Sequence, residues 1–285
     1  MKGNPVYSIS KKIVDKYNLV SVRKAYGWEQ KCLRAMKVYW AMIPERSKLK
    51  QLKNLHADQK RCFIIGNGPS ILQQDLTKLK NEITFVTNWF VLHDQFEELN
   101  SNYYCVSDPL MWNKEKALPE MFYERLNKNK EIVKFFEHTA KPICKRGNLF
   151  RGHKIYFIWL NGSKKVKDGF ISLDISKYVC HGHTVIIDFC LPIAYYMGFK
   201  EVYLLGCDCD YKIDSSNHDI PHFYDRKRVL TKMARGTEEP LYTELVMSSY
   251  RIVKRVFEAE GRKIYNAGAG GKLEVFERVN YEKLF

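Results

Sequence analysis

The sequence predicts an α/β protein with a doubly wound, mostly parallel sheet. Short runs of β-branched and aromatic residues recur from about residue 61 to residue 267, and longer segments with helical spacing of apolar residues lie between many of them. This alternation is typical of parallel strands joined by crossover helices. A chain of 285 residues, 45% of them hydrophobic, is long enough to bury a sizeable core around such a sheet.

The first expected element is a basic amphipathic helix over residues 26–43, which we expect Pro44 to end. Residues 45–60 are expected to form a charged connector. Residues 1–60 carry 14 Lys and Arg against 4 Asp and Glu, so most of the formal net charge of +15 belongs to them. We therefore predict an N-terminal segment, residues 1–60, that either contacts an anionic membrane surface or docks on a catalytic domain formed by residues 61–285.

The catalytic domain is predicted to alternate strands and helices. The expected strands cover residues 61–66, 82–87, 102–107, 131–137, 154–159, 200–206 and 262–267. Notable helices are expected at 183–198, which Pro192 should kink or divide, and at 240–260. The polar, His-containing segment 212–239 is predicted to be a lid-like insertion over the site.

The cysteines and the N terminus indicate the compartment. Eight cysteines occur without CxxC spacing, mostly in apolar runs, which predicts reduced and buried thiols in a cytoplasmic protein. The start MKGNPVYSISKK lacks the apolar core of a signal peptide, and no apolar run is long enough to span a bilayer. We expect a cytoplasmic protein with peripheral contact at the inner face of the plasma membrane, and no nucleic-acid partner.

Polar residues follow several predicted strands, at the edge where open α/β sheets bind ligands. The first strand leads into GNGPS at 66–70. Its glycines are expected to expose N–H groups to a phosphate, and Pro69 to begin a helix whose N terminus attracts that phosphate. The loop lacks the third glycine of the dinucleotide fingerprint and the lysine of the P-loop, so a plain strand–helix turn stays an alternative. The other polar residues at these strand ends are Asn88, Asp108, Asp208 and Asp210.

Two short motifs suggest metal chemistry. CHGHT at 180–184 resembles half a zinc site, but no second Cys/His pair follows at suitable spacing. We expect it to be a ligand-contacting loop, with Thr184 as N-cap or phosphate contact. DCD at 208–210 matches the Asp-x-Asp metal motif, and a strand end would aim both carboxylates to one face, where Mg²⁺ is the natural ion.

Four segments together resemble a known family: IIGNGPS, TNWF, SDPL and LPIAYYMGFKEVYLLGCDCDY. They are similar to the small bacterial lipooligosaccharide sialyltransferases, and equally to the broader family that includes archaeal 6-hydroxymethylpterin pyrophosphokinases. The resemblance covers roughly residues 61–284. It implies a GT-A-like variant of the nucleotide-binding fold and inverting transfer of an acidic sugar from a CMP-sugar to a glycan hydroxyl, in lipopolysaccharide or capsule assembly. No metal is required for that reaction.

The resemblance also implies roles for single residues. The implied nucleotide-binding residues are Gly66, Asn67, Gly68, Pro69, Ser70, Asn88, Asp108, Thr184 and Asp208. Tyr211 is the nearest match to a tyrosine that steadies the leaving phosphate. His222, Asp225 or His218 is expected to take the proton of the acceptor hydroxyl, and the alternative is that His222 only orders the lid.

Two other functions are consistent with the same residues. The first is a Mg²⁺-dependent pyrophosphokinase acting on a pterin-like alcohol, with Asp108, Asp208 and Asp210 as metal ligands. The second is a non-catalytic, nucleotide-binding partner of a glycan-synthesis complex, held at the membrane by its N-terminal helix. Homo-oligomer formation is left open.

Overall fold

The computed structural model describes residues 20–112, 120–210, 222–224 and 239–285. The chain divides into two compact units, Met1–Pro44 and Glu45–Phe285. The first described element is helix α1, Val20–Lys50, which begins in the first unit and ends in the second. In the described part of the chain, no helix combines the length and the apolar character that crossing a membrane requires.

The predicted end of the first helix was wrong. Pro44 lies inside α1, which continues to Lys50. A proline in a helix removes one backbone hydrogen bond, so the turns around it need other support. That support lies in the larger unit, where Leu49 is fully buried and the buried Glu45 accepts from Lys141 Nζ at 2.9 Å.

The segment expected to be a charged connector, residues 45–60, is also part of the larger unit and packs inside it. Leu52 is buried, and the backbone N–H groups of Asn54 and His56 donate to carbonyls of Tyr196 and Met197 at 2.9 and 2.8 Å. The buried Leu49 and Leu52, which lie between lysines, explain why this polar segment packs on the rest of the unit and does not form a flexible linker.

The larger unit contains an eight-stranded sheet in which every neighbouring pair is parallel, so the predicted fold class is confirmed. The strand order is β10-β9-β8-β1-β2-β3-β4-β5, and β6 pairs with β7 in a separate small sheet. The strands are β1 Arg61–Ile65, β2 Thr84–Thr87, β3 Tyr103–Val106, β4 Val133–Glu137, β5 Ile155–Ile158, β6 Leu160–Lys165, β7 Val179–His181, β8 Glu201–Leu205, β9 Lys263–Asn266 and β10 Glu277–Arg278. All seven predicted strands are present. Strands β6, β7 and β10 were not predicted.

Helices follow or connect most strands. After α1 come α2 Phe96–Leu99, α3 Glu120–Lys128, α4 Ala140–Gly147, α5 Leu191–Met197 and α6 Glu239–Ala259. Short 3₁₀ helices cover Pro69–Gln73, Leu76–Leu79, Asn88–Leu92, Pro109–Trp112, Val166–Asp168 and Tyr281–Leu284. The helix predicted at 183–198 is divided, as expected from Pro192: a π-helical turn, Ile186–Cys190, runs directly into α5. The helix predicted at 240–260 is α6.

The central strands are apolar on both faces, as parallel strands covered on both sides must be. Every residue of β2 and β3 is buried, and the last four of β1 and β8 are buried as well. Seven of the eight cysteines, those from Cys62 to Cys209, are free and buried, as predicted for reduced thiols.

The chain reverses its direction across the sheet beside β1. From β1 it proceeds through β2, β3 and β4 to β5, whereas β8, β9 and β10 extend from the other side of β1. The junction of β1 and β8 is therefore the topological switch point. In open α/β sheets the loops at such a point separate and leave a crevice for ligands.

Candidate functional site

A cleft of about 380 Å³ opens at the carboxyl edge of the sheet, at this switch point. It is formed by the segments that follow β1, β2, β3, β7 and β8, together with part of α6 and residues 222–224. Its lining includes Gly66, Asn67, Gly68, Asn88, Asp108, Thr184, Asp208, Asp210 and His222, all of them residues singled out in the sequence. It also includes Thr87, Ser107, His181, His183, Asp188, Tyr224, Tyr242 and Tyr250. A volume of this size is within the range of small-molecule sites.

The GNGPS loop does not present its N–H groups as expected. The N–H of Gly66 donates to the Leu205 carbonyl at 2.8 Å, and the N–H of Gly68 donates to the Gly206 carbonyl at 2.8 Å. The N–H of Ser70 donates to Asp208 Oδ2 at 2.9 Å. Pro69 begins only a five-residue 3₁₀ helix. These three donors are used inside the protein, so the loop does not expose them as expected; that the loop residues contact a nucleotide stays a prediction.

The glycines are needed because the loops after β1 and β8 cross at very short range. A Cβ atom on Gly66 would lie 2.5 Å from the Gly206 carbonyl oxygen. A Cβ atom on Gly68 would lie 2.5 Å from Asp208 Cγ and 2.8 Å from the same carbonyl oxygen. Real Cβ atoms do not approach other atoms so closely, so both positions exclude a side chain. The two glycines therefore serve backbone packing at the switch point.

Asp208 connects this crossing to the loop after β9. Its carboxylate accepts from both the N–H and the hydroxyl of Ser70. Its backbone carbonyl accepts from the N–H of Lys272 at 2.6 Å, and a Cβ on Gly271 would lie 2.4 Å from the Asp208 backbone. Asp208 is thus a buried acceptor that fixes three loops, and it lines the cleft from that position.

Asp210 has a different side-chain partner from Asp208, although both line the cleft. Strand β8 ends at Leu205, and Cys209 adopts a left-handed backbone conformation with φ +51°. Asp210 pairs with Lys272 Nζ at 2.8 Å, whereas the Asp208 carboxylate accepts from Ser70. The strand geometry from which the sequence argument aligned the two carboxylates of the DCD motif is therefore not present at these residues. Across the described ranges, no group of three His, Cys, Asp or Glu side chains is placed to hold a metal ion.

Two asparagine side chains leave buried acceptor atoms at the cleft. Asn67 Nδ2 donates to the Thr87 carbonyl at 3.1 Å, and because a carbonyl can only accept, this contact fixes which amide atom is nitrogen. Within the described residues, Asn67 Oδ1 and Asn88 Oδ1 are buried and have no hydrogen-bond partner. Asn88 also has a positive φ of 44°, and its carbonyl accepts from Tyr104 Oη. Buried acceptors without a partner are costly, so both oxygens suit a ligand that donates.

The CHGHT loop forms the opposite wall. Thr184 Oγ1 accepts from the N–H of Ile187 at 3.3 Å, a contact consistent with the N-cap role, one of the two roles expected for Thr184. His181 Nδ1 lies 3.4 Å from Asp188 Oδ2, and Asp188 Oδ1 accepts from the N–H of Gly182 at 2.5 Å. His183 has a φ of +73°, uncommon for a residue with a side chain, and its carbonyl accepts from Tyr242 Oη at 2.6 Å.

Residues 222–224 close the cleft near Asn67. The N–H of Phe223 donates to the Asn67 carbonyl at 3.0 Å, which anchors the segment to the loop after β1. The His222 ring lies 5.0 Å from the ring of Tyr224, and both line the cleft. The other two predicted catalytic residues, Tyr211 and Asp225, lie outside the described residues, as do His218 and most of the segment predicted to be a lid.

The sequence arguments missed part of the site. Asp188 lies within the apolar run VIIDFC, where a lone carboxylate is itself an unusual signal that was not used. Tyr242 and Tyr250 come from α6 and carry no local signal. Their place in the cleft depends on how α6 packs, which no motif encodes.

A comparison with protein families identifies a family to which the chain is similar. The family model described as 6-hydroxymethylpterin diphosphokinase MptE-like matches residues 39–214, more than half of the chain. The matched range runs from within α1 to just beyond β8, and it contains much of the cleft. No curated protein matches the chain.

Proposed function

Because this chain belongs to the 6-hydroxymethylpterin diphosphokinase MptE-like family, we propose that its cleft binds a nucleotide and transfers a group from it. We further propose that the group is an acidic sugar carried by CMP and that the acceptor is a hydroxyl of a surface glycan. The family match supports a transferase-type or kinase-type enzyme. The sugar, the nucleotide and the acceptor belong to the proposal.

The unpaired amide oxygens of Asn67 and Asn88 carry the proposal. They lie on neighbouring strand ends of the sheet, after β1 and β2, and they need hydrogen-bond donors. The hydroxyls of a ribose and the exocyclic amino group of cytosine are such donors. A nucleoside bound along these two strand ends would satisfy both acceptors, which is the pairing that buried polar groups require.

The charges favour a nucleoside monophosphate over a triphosphate with Mg²⁺. Asp208 is bonded to Ser70 and Asp210 is paired with Lys272, so two of the three proposed metal ligands already have partners. The residues present therefore do not fit the predicted Mg²⁺ site. A CMP-linked donor has a single phosphate, whose charge the protein can support without a metal.

The reaction proceeds by displacement at the anomeric carbon. The acceptor hydroxyl oxygen forms a bond to that carbon while the bond to the nucleotide phosphate breaks, and the phosphate keeps the electron pair. His222, which lines the cleft, accepts the hydroxyl proton. Positioning of both substrates supplies much of the rate. A His222→Gln variant that keeps CMP affinity and loses about a hundredfold or more in turnover would support this role; unchanged turnover would assign the base elsewhere.

Nucleotide binding is tested by thermal unfolding with CMP, CDP, UDP, GDP and ATP, each with and without Mg²⁺. A ligand that binds only the folded protein raises its melting temperature by mass action. We expect CMP to give the largest rise, with no need for Mg²⁺. No shift with any nucleotide would contradict the proposal, and binding without turnover would support a non-catalytic partner protein.

The role of Asn88 is tested by replacement with glycine, which keeps the positive φ and removes only the amide. Losing one ligand hydrogen bond should weaken CMP binding about tenfold by calorimetry. Asn100→Gly is the matched control, because Asn100 also has a positive φ, 46°, but follows α2 outside the cleft. Equal affinities in the two variants would remove Asn88 from the nucleotide site.

The family description favours a second candidate, a diphosphokinase acting on a pterin alcohol. It would transfer a diphosphoryl group from ATP to the alcohol oxygen and release AMP. Incubation with ATP, Mg²⁺ and 6-hydroxymethylpterin, followed by chromatography for AMP and the pterin diphosphate, tests it directly. Formation of both products in equal amounts would replace the glycosyltransferase proposal.

A further inference from the structure

The ionisable side chains in the cleft include carboxylates and histidines but no lysine or arginine among the described lining residues. Its described carboxylates are Asp108, Asp188, Asp208 and Asp210. The side chains there that can become positive are His181, His183 and His222. Among the described lining residues, the groups that can recognise a phosphate are therefore an imidazolium and neutral donors. Lys272 contacts the lining residue Asp210 but is not itself part of the lining.

His181 is the histidine whose surroundings favour the charged form. Asp188 is buried, with 3% of its surface exposed, and a buried carboxylate needs a compensating partner. One of its oxygens accepts from the N–H of Gly182 and the other lies 3.4 Å from His181 Nδ1. Because Nδ1 faces the carboxylate, the second ring nitrogen, Nε2, is the one left for a ligand.

The neighbouring His183 has the opposite environment. The two rings lie 4.7 Å apart. Asp188 raises the pKa of His181, against the effects of burial and of Lys165. Burial and the charge of His181 lower the pKa of His183, and Lys165 and Lys167 act in the same direction against Asp188. The pKa values of the two rings are thus moved in opposite directions, so His181 is the one of the pair that takes up a proton first as the pH falls.

We propose that His181, held by Asp188, is the phosphate-binding group of the cleft. His181 donates from Nε2 to a phosphate oxygen of the bound nucleotide, and Asp188 is its positioning residue. This inference depends on the proposed function only in requiring a nucleotide; a CMP-sugar and ATP both satisfy it. It also accounts for an otherwise unexplained feature, a carboxylate buried within the apolar run VIIDFC.

The contact has a consequence for transfer. When the bond between the anomeric carbon and the phosphate oxygen breaks, the electron pair remains on that oxygen and its negative charge increases. A preorganised N–H donor lowers the barrier most where charge develops. His181 is therefore expected to act as catalytic support for the leaving group, distinct from the residue that accepts the acceptor's proton.

The test is an NMR titration of the histidine Cε1–H signals with pH, using the full-length protein. The His181 signal is assigned by its loss in His181→Gln. It is followed alone and with inorganic phosphate, with CMP and with cytidine. Phosphate and CMP should raise the pKa of His181 because a bound anion stabilises its charged form, and cytidine should not. The same titration is repeated with ATP, because either nucleotide would satisfy the proposal. If neither phosphate, CMP nor ATP moves that pKa, the proposal is overturned.

Affinity measurements give a second readout. At pH 6, His181→Gln should reduce the preference for CMP over cytidine about tenfold or more, the scale of a charge-assisted hydrogen bond. Asp188→Asn keeps the side-chain oxygen that accepts from Gly182, and it should lower the pKa of His181. His138→Gln is the matched control, because His138 also contacts a buried carboxylate, Glu137, but lies outside the cleft lining. An equal loss of preference in His138→Gln and His181→Gln would contradict the proposal.

The two proposals fail in different ways. If phosphate raises the pKa of His181 but CMP stabilises the protein no more than UDP, GDP or ATP does, the phosphate site stands and the CMP donor is wrong. If CMP is selectively bound but its preference over cytidine survives in His181→Gln, the nucleotide proposal stands and the inference about His181 is wrong.

Discussion

At the scale of single residues, the loops at the switch point pack so closely that Gly66 and Gly68 leave no room for a side chain. Gly68 has φ −67° and ψ 150°, a conformation that alanine adopts freely. Its requirement for glycine therefore comes from the neighbouring carboxylate of Asp208 and carbonyl of Gly206, not from its own backbone. Gly68 is therefore required because of close packing and not because of its backbone conformation, and a substitution at this position can measure that requirement.

Gly68→Ala should destabilise the protein by about 1–3 kcal/mol, because the new methyl group forces Asp208 away from Ser70. The free energy of unfolding in urea measures this loss. Gly162→Ala is the control, since a methyl group on Gly162 would meet no atom of the described residues within 4 Å and its φ is not positive. That variant should stay within about 1 kcal/mol of the parent. Equal stability of the two variants would show that the loops at the switch point move apart easily.

The residues at the strand ends were predictable, but their partners were not. Asn67, Asn88 and Asp108 were expected at one edge because the carboxyl ends of parallel strands meet there, and all three line the cleft. The bond from Ser70 to Asp208 joins residues 138 positions apart. No local pattern encodes such a contact, so the loop was interpreted as free to bind phosphate when its donors are already used.

At the scale of elements, the helical spacing and the runs of apolar residues predicted the main helices and strands. All seven predicted strands are present, and the central ones, β1, β2, β3 and β8, carry continuous runs of buried residues. Strand β6, with the sequence LNGSKK, has no buried residue, and β10 has only two residues. Such elements leave no hydrophobic signal. The error at Pro44 is of the opposite kind, because a strong local signal was misleading. Proline usually ends a helix, but α1 continues past Pro44, where the packing of Leu49 supports it.

Helix α1 exposes an apolar side that the composition led us to expect. Leu33, Met36, Trp40 and Ile43 recur at helical spacing, and between 42% and 66% of each residue's surface is exposed. Residues 1–60 carry most of the positive charge. We propose that this side of α1 contacts an anionic membrane surface, where Trp is favoured and Lys and Arg bind acidic headgroups.

Trp40→Glu should weaken binding to phosphatidylglycerol vesicles about tenfold or more in a sedimentation assay, because it puts a charge into the apolar contact and repels the anionic surface. Leu72→Glu makes the same charge change on a leucine that is 63% exposed in the larger unit, and it should bind like the parent protein. If both variants lose affinity equally, net charge alone governs binding. If neither does, the membrane contact lies elsewhere or does not exist.

At the scale of the whole molecule, the boundary between the two units differs from the predicted domain boundary. The sequence predicted a catalytic domain beginning at residue 61, where the strand pattern starts. The larger compact unit instead begins directly after Pro44. Between these positions lie the buried Leu49 and Leu52, and the His56 ring, which stacks on Phe199 with centroids 4.8 Å apart. These contacts are internal to the larger unit.

A chain beginning at residue 45 should therefore keep the stability of the larger unit, whereas a chain beginning at residue 61 should not. Losing a buried leucine costs about 2–5 kcal/mol, and a unit of this size loses about 2–4 °C in melting temperature per kcal/mol. Removing Leu49 and Leu52 together should lower the melting temperature by about 10 °C or more. The measurement is thermal unfolding of the two truncated chains, with the double variant Leu49→Ala, Leu52→Ala in the longer one as control. That variant should reproduce most of the loss, because it removes the same burial without shortening the chain. Equal melting temperatures for the two truncated chains would place the start of the folded unit at residue 61 and make residues 45–60 the connector that their charges suggested.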